Sequence, residues 1–258
     1  MFKRVHIFVV IFLLISGIFG QAFGGTTLLV SNNRELKVNS TSYGKNMRVL
    51  VEKNSERYYY SLNNKEEILP LQLGKGNYNI KVLENISGNR YRVVSKDTIF
   101  IKDFNDKESF LVSAQPVYWK EGQASKLAKE LTKNKESTID KVEEIYDYIT
   151  QNIVYDYDKI KDLTDDYVPN IEQTLKSKSG ICYDYAALMA GMLRSLNIPT
   201  KLVKGYKNDL NNYHAWNEVL IEDKWVIIDT TYDAAFVKAN REVDMIKSLN
   251  EYNKIREY

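Results

Sequence analysis

An almost unbroken apolar run follows Cys182, and it restricts the fold of this chain more than any other feature. Between residues 186 and 196 only Arg194 and Ser195 have polar side chains, and Asn197-Ile198-Pro199 ends the run. A helix that is apolar on every side is stable only when other elements enclose it. The sequence therefore predicts a buried helix that begins near Cys182 and lies inside a layered domain.

The chain before this region has the pattern of short strands. Apolar and other residues alternate over 47–51 and again over 78–82. Segments rich in Gly and Asn at 74–76 and 85–89 are typical of the turns between strands. Several short strands with turns at this spacing predict a small, immunoglobulin-like β-sandwich over residues 25–115.

The pattern becomes helical near Pro116. Apolar residues on one face predict a helix over 123–132, and a second helix is predicted to begin at Ser137. Strands are predicted again at about 200–206, 213–221 and 224–230, which makes the fold α+β. We expect few contacts to cross a linker near Pro116.

The N-terminus has the residue order of an export signal. Lys3 and Arg4 precede an apolar run to Phe19, and small residues follow as far as Gly24. We predict a signal peptide over residues 1–24 that is cleaved near Gly24, with an uncleaved anchor as the alternative. Cleavage would leave a secreted or wall-associated protein without stable membrane insertion.

Charge and the scarcity of metal ligands argue against several functional classes. The formal charge of +2 falls to zero without Lys3 and Arg4, and no long block of one sign is present, so nucleic acid is not an expected partner. One cysteine and two histidines, of which His6 lies in the predicted signal, do not supply the ligands of a structural zinc site. We expect no metal and no other cofactor. These patterns do not determine the oligomeric state.

A single cysteine in an exported chain indicates a reactive thiol, because disulfide frameworks use even numbers of cysteines. Cys182 lies where the apolar helix is predicted to begin. The unpaired N–H groups at a helix N-terminus stabilise a thiolate. The alternative is an inert cysteine in the core.

Two residues of a predicted hairpin are placed to act on that thiol. With Glu222-Asp223 as a two-residue turn, the numbers of paired residues add up to 445, so His214 lies opposite Thr231 and on the same face as Asp229. A carboxylate beside an imidazole fixes its tautomer and stabilises the imidazolium. The alternatives are a structural histidine, an aspartate bound to backbone, and a register shift that would move Asp229 to the other face.

The remaining candidates have simpler interpretations. Trp216 and Trp225 flank the hairpin and are predicted to be core residues. Asp165, Asp166 and Asp184 lack the spacing of a calcium loop, so we expect solvated charges of a loop and a helix start.

Three segments resemble, in this order, the motif blocks of the transglutaminase-like superfamily: Gly180-Ile181-Cys182-Tyr183-Asp184-Tyr185-Ala186, His214-Ala215-Trp216-Asn217-Glu218-Val219, and residues 225–233 around Asp229. Thr230 stands where many members have proline. The resemblance implies a papain-like core in which the cysteine helix packs on an antiparallel sheet. We therefore predict a linker and helix at 116–136, a transglutaminase-like catalytic domain at 137–235, and a C-terminal helical tail at 236–258.

The resemblance also implies a mechanism, in which Cys182 is the nucleophile, His214 its base, and Asp229 the residue that orients the histidine. Attack on an amide carbonyl gives a thioester, which an amine or water then releases. Cross-linking and hydrolysis of protein or cell-wall peptides use the same three residues, so both remain open. The oxyanion donors would be the Cys182 N–H and one of Asn152, Tyr155 or Gln173. The alternative function is a non-catalytic cell-surface binding or structural protein on the same scaffold.

Overall fold

The computed structural model describes residues 21–258, apart from positions 24, 32, 33, 45 and 121. The predicted signal peptide, residues 1–24, lies outside the described residues except for Gln21–Phe23, a strand that pairs with the next one. Within the described part of the chain, no helix combines the length and hydropathy that are needed to cross a bilayer.

The first part of the chain is all β and forms a sandwich. Its strands are β1 (Gln21–Phe23), β2 (Thr26–Ser31), β3 (Glu35–Ser40), β4 (Met47–Lys53), β5 (Glu56–Ser61), β6 (Glu66–Pro70), β7 (Gly76–Ser87) and β8 (Arg90–Ile101). They form two sheets with the orders β1-β2-β3-β6 and β5-β4-β7-β8, and all neighbouring strands are antiparallel.

The alternation of apolar residues explains how the two sheets pack. Leu36 and Val38 of β3 contact the same buried cluster as Val49 and Val51 of β4. Each sheet therefore turns every second side chain toward one shared core. The predicted all-β region before a mixed α/β region is confirmed.

The second part contains helices around a five-stranded antiparallel sheet. Its helices are α1 (Asp106–Ser109), α2 (Gln123–Leu131), α3 (Thr138–Asn152), α4 (Ile171–Ser177), α5 (Cys182–Ser195) and α6 (Thr230–Lys238), with short 3₁₀ turns at Lys159–Asp162 and Leu249–Glu251. Its strands are β9 (Val154–Tyr155), β10 (Ser179–Gly180), β11 (Thr200–Lys207), β12 (His214–Ile221), β13 (Lys224–Ile228), β14 (Ile246–Lys247) and β15 (Tyr252–Glu257). The five-stranded sheet has the order β14-β13-β12-β11-β15.

Helix α5 lies at the centre of this part, as its apolar sequence requires. Every residue from Asp184 to Arg194 is buried. The helix packs on α2, α3 and α4 on one side and on β11 and β12 on the other. The predicted α+β fold, with the cysteine-bearing helix on an antiparallel sheet, is confirmed.

The hairpin of β12 and β13 has the predicted register. Asn217 pairs with Ile228 and Ile221 with Lys224, so paired numbers add up to 445. Glu222 and Asp223 have φ values of 48° and 63°, the two positive φ angles of a tight hairpin turn. The predicted strand end is wrong, however: β13 ends at Ile228, and Thr231 belongs to helix α6 and is not a strand residue opposite His214.

The predicted helical tail at 236–258 is wrong. Helix α6 ends at Lys238, and β14 and β15 follow at opposite edges of the sheet. Strand β15 pairs with β11, where Lys207 lies opposite Tyr252. This pairing joins distant parts of the chain, so local sequence pattern gave no indication of it.

The expectation that few contacts cross the linker is also wrong. Tyr258 pairs by two backbone hydrogen bonds with Leu202 in the five-stranded sheet, at 2.8 and 2.9 Å. Its ring packs edge-on against Tyr58 and Tyr60 of the sandwich, with centroid distances of 5.4 and 6.1 Å. Gln115 adds hydrogen bonds to the backbone N–H and carbonyl of Ser61. The two parts therefore share a packed interface.

Loss of the Tyr258 ring should destabilise the whole protein. We expect Tyr258→Ala to lower the free energy of unfolding by about 2–4 kcal/mol, because a half-buried aromatic ring is removed from between two cores. Tyr258→Phe keeps the ring and should change the free energy by less than about 1 kcal/mol. Urea unfolding followed by circular dichroism measures both, and equal stability of the two variants would contradict the role of the ring.

Candidate active site

Cys182 is the first residue of helix α5 and its side chain is partly exposed. The first N–H groups of a helix have no acceptor within the helix, so they point toward the region in front of the thiol. The N–H of Ile181, the residue just before, donates to Oδ2 of Asp184 at 2.8 Å. The turn that presents the thiol is thereby fixed from within the helix.

Asp184 is fully buried, so the expectation that it is a solvated helix-start charge is wrong. It accepts hydrogen bonds from the ammonium of Lys159 at 2.7 Å and from the hydroxyl of Tyr167. A Cβ at Gly180 would lie 2.6 Å from that of Asp184, so glycine is required there. Both partners belong to the segment between β9 and α4, which supports the helix start from outside.

His214 is the first residue of β12 and is buried. Its Nε2 lies 2.7 Å from Oδ2 of Asp229, which leaves Nδ1 to interact with Cys182. Burial opposes protonation, but hydrogen bonds to Asp229 and Cys182 outweigh it and raise the pKa of His214 to about 10. The Trp216 ring, nearly parallel at 6.3 Å, covers the imidazole. This environment favours an imidazolium.

Asp229 is fully buried and uses its two oxygens differently. Oδ1 accepts the Tyr232 N–H at 3.0 Å and so caps helix α6. Oδ2 faces His214. The structural and orienting roles that the sequence left as alternatives are therefore combined in one carboxylate. Thr230 is the first residue of α6, a position at which proline is also well tolerated, so the departure from the family pattern leaves the site unaltered.

Asn217 joins the cysteine helix to the histidine strand. Its amide group is buried, and its Nδ2 donates to the carbonyl of Ala186 in α5 at 2.9 Å and to that of Lys201 in β11 at 3.1 Å. These bonds fix the separation of the two elements. The sequence block His214–Val219 contains this residue, but its motif alone did not indicate the contact.

Tyr252 is a further residue at the site, and sequence reasoning missed it. Its hydroxyl donates to Oδ2 of Asp229 at 3.0 Å, and its ring contacts Trp216 at a centroid distance of 5.0 Å. Burial and the nearby Asp229 charge hold the pKa of Tyr252 well above its usual value, so it remains a donor. Strand β15 can lie this close because position 205 is glycine: a Cβ there would be 2.1 Å from the Asn253 carbonyl oxygen.

The three candidates for the second oxyanion donor lie in different places. The Asn152 amide donates to the Tyr148 carbonyl within α3, and Gln173 is exposed on α4. Tyr155 pairs with Gly180 and lines the same pocket as Cys182. Burial, with a contribution from the charge of Cys182, raises the pKa of Tyr155 to about 12, so its hydroxyl keeps its proton. Tyr155 is thus the candidate that the structure brings to the thiol.

Cys182 and His214 open onto a pocket of about 660 Å³. Its wall is formed mainly by β9, the loop before β12, and helix α6. Among the described residues, no group of three or more His, Cys, Asp or Glu side chains is arranged to hold a metal ion. The arrangement can support a thiolate, a proton donor and a bound substrate group.

Residues 125–230 match the family model described as the transglutaminase-like superfamily. UPF0252 protein MJ1282 of Methanocaldococcus jannaschii is 35% identical over 107 residues, which are 38% of this chain and 30% of that protein. The protein-glutamine gamma-glutamyltransferase of Pseudomonas aeruginosa is 38% identical over 72 residues, which are 23% of this chain and 11% of that protein. The matches thus span less than a third of these relatives.

One solved structure aligns with most of the chain. A protein of Cytophaga hutchinsonii, described as a proposed cysteine protease, aligns with 87% of this chain and 76% of its own. The identity is 18% and the TM-score 0.49.

Two substitutions of Asp229 should separate its two roles. In Asp229→Asn the amide oxygen still caps α6, so the melting temperature should hardly change, while iodoacetamide alkylation of Cys182 near neutral pH should slow by at least about ten-fold. The turnover number with any amide substrate of the site should fall by up to about 10⁴-fold. Asp229→Ala should show the same slow alkylation with about 1 kcal/mol of further instability from the lost cap. A destabilised Asp229→Asn protein with an unaltered alkylation profile would remove Asp229 from the site.

Tyr252→Phe removes the hydrogen bond to Asp229 and keeps the ring that packs on Trp216. We expect about 1 kcal/mol of destabilisation and slower alkylation of Cys182 at neutral pH, with less difference at high pH. The matched control is Tyr232→Phe, which removes a 2.7 Å hydrogen bond to the exposed Asp209 and not to Asp229. If both variants leave the alkylation profile unaltered, Tyr252 has no positioning role.

Proposed function

We propose that the region matching the transglutaminase-like family model, residues 125–230, catalyses acyl transfer from amide bonds through a thioester on Cys182. The observation that carries the proposal is the 2.7 Å contact between His214 Nε2 and the buried Asp229, in a pocket that His214 and Cys182 line together. A histidine that holds its proton beside a thiol stabilises the thiolate, the reactive form of cysteine.

The proposed reaction has two steps. In the first, the Cys182 thiolate attacks the carbonyl carbon, and the imidazolium of His214 gives its proton to the nitrogen of the leaving amine as the C–N bond breaks. In the second, water or an amine attacks the thioester, His214 accepts its proton, and the C–S bond breaks to restore the thiolate. The incoming nucleophile alone decides between hydrolysis and cross-linking.

The negative oxygen of each tetrahedral intermediate needs hydrogen-bond donors. We assign the backbone N–H of Cys182 and the hydroxyl of Tyr155 to this task. The first belongs to a helix N-terminus, where N–H groups lack partners within the helix. The second lines the same pocket and keeps its proton.

The proposed substrates are protein or cell-wall peptides, and the proposed place of action is outside the cell. Both proposals depend on the predicted signal peptide at residues 1–24. The P. aeruginosa relative is named as a glutamyltransferase, which supports amide substrates for the class. A non-catalytic binding protein on the same scaffold would leave the thiol without acyl-transfer activity.

Labelling and acylation of Cys182 test the proposal. We expect iodoacetamide to alkylate the wild-type protein at about pH 6.5, and His214→Ala to react at least about ten-fold more slowly there, because the thiolate loses its imidazolium partner. p-Nitrophenyl acetate should give an acetyl adduct that intact mass spectrometry detects in wild type and not in Cys182→Ala.

Decay of the adduct then identifies the acceptor. Release of acetate in buffer would indicate hydrolysis, and formation of N-methylacetamide with added methylamine would indicate transfer to amines. A thiol that alkylates only at high pH, with no acetyl adduct, would overturn the enzymatic function and favour the non-catalytic protein.

A further inference from the structure

We propose that the pocket beside Cys182 binds a large apolar side chain, aromatic or aliphatic, of the peptide whose amide bond is attacked. The inference rests on the proposed function and names the substrate class of the same site. The pocket volume of about 660 Å³ is within the range of natural ligand pockets. Because Cys182 and His214 line it, a group bound there is attached close to the reacting carbonyl.

Aromatic side chains form both walls of the pocket. On the α6 side, the rings of Tyr232 and Phe236 contact each other at a centroid distance of 5.2 Å. On the β9 side, Tyr155 and Tyr157 contact each other at 4.8 Å. Aromatic faces bind apolar groups and other rings well, and these pairs hold each other in place.

The pocket also gathers large apolar side chains that are open to solvent. Val154, Tyr157, Ile160 and Tyr213 are 56%, 75%, 48% and 47% exposed, and all four line it. One exposed apolar residue needs no explanation, but a cluster around a concave site marks a place where another apolar group binds. The position of this cluster next to the thiol makes the substrate the natural occupant.

The charges at the pocket argue against a charged occupant, above all a basic one. Among the described residues that line it, none is an aspartate or glutamate that could pair with a basic side chain. Lys238 lines it, but its ammonium donates to the Ile153 carbonyl. A basic side chain would lose its hydration on entry without gaining a carboxylate partner, and an acidic one would have to share Lys238 with the Ile153 carbonyl. A phenylalanine or leucine side chain gains the burial of its apolar surface.

Ala235 gives access to the pocket without disturbing the core. It is an exposed residue of α6 and lines the pocket. A large side chain at this position should occupy the space. Ala239, also exposed at the end of the same helix, does not line the pocket and provides the matched control.

Peptidyl chloromethyl ketones test the proposal, because their reaction with a thiol does not depend on whether water or an amine follows. The probes carry Phe, Leu, Glu or Lys at one of the two residues nearest the reacting carbon, with glycine at the other. The readout is the rate of Cys182 labelling divided by the rate with iodoacetamide. We expect the Phe and Leu probes to exceed the Glu and Lys probes by about ten- to one-hundred-fold.

Variants then place this preference in the pocket. Ala235→Trp should reduce the normalised rate of the Phe probe by at least about ten-fold, whereas Ala239→Trp should leave it unaltered. Ala235→Glu should shift the preference toward the Lys probe, a gain that a misfolded protein would not show.

Equal normalised rates for all four probes, or no effect of Ala235→Trp, would overturn the pocket assignment while Cys182 stays reactive to iodoacetamide. A Cys182 that reacts with iodoacetamide only as an ordinary thiol would instead overturn the proposed function. The two failures are therefore distinguishable.

Discussion

Helix α5 has to be enclosed on nearly every side, and the rest of the second domain is arranged to do this. Helices α2, α3 and α4 cover one face of α5 and the sheet covers the other. Its partly exposed residues lie at its two ends, and Cys182 is at the first of these. A deeply buried helix thus carries the thiol, and the buried amide of Asn217 joins that helix to the sheet. Positioning by a packed core is how a rigid scaffold maintains reactive geometry.

The carboxylate of Asp229 contributes to both the local fold and the site. It lies where a strand turns into a helix, so one oxygen serves the new helix and the other serves the imidazole. Tyr252 approaches from β15 and holds the same carboxylate. Since a buried charge without partners is costly, each of these donors stabilises both the local fold and the ionised form that His214 needs.

The sequence was informative where structure is local and uninformative where it is not. The apolar run predicted α5, and the two-residue turn Glu222-Asp223 predicted the register that brings His214 and Asp229 to one end of the hairpin. Asp184 and Tyr252 were missed because their partners come from other parts of the chain: Asp184 binds Lys159 of a 3₁₀ turn, and the strand that carries Tyr252 pairs with β11. Neither contact leaves a periodic pattern in the sequence, since burial of a polar residue depends on what folds over it.

Strand β15 connects the sandwich with the surroundings of the thiol. Its first residue, Tyr252, holds the carboxylate at the site, while Tyr258, just beyond its end, inserts a ring among the tyrosines of the sandwich. Between these two residues the strand is paired with β11 of the five-stranded sheet. Residues 252–258 thus contact the carboxylate at the site at one end and the core of the sandwich at the other.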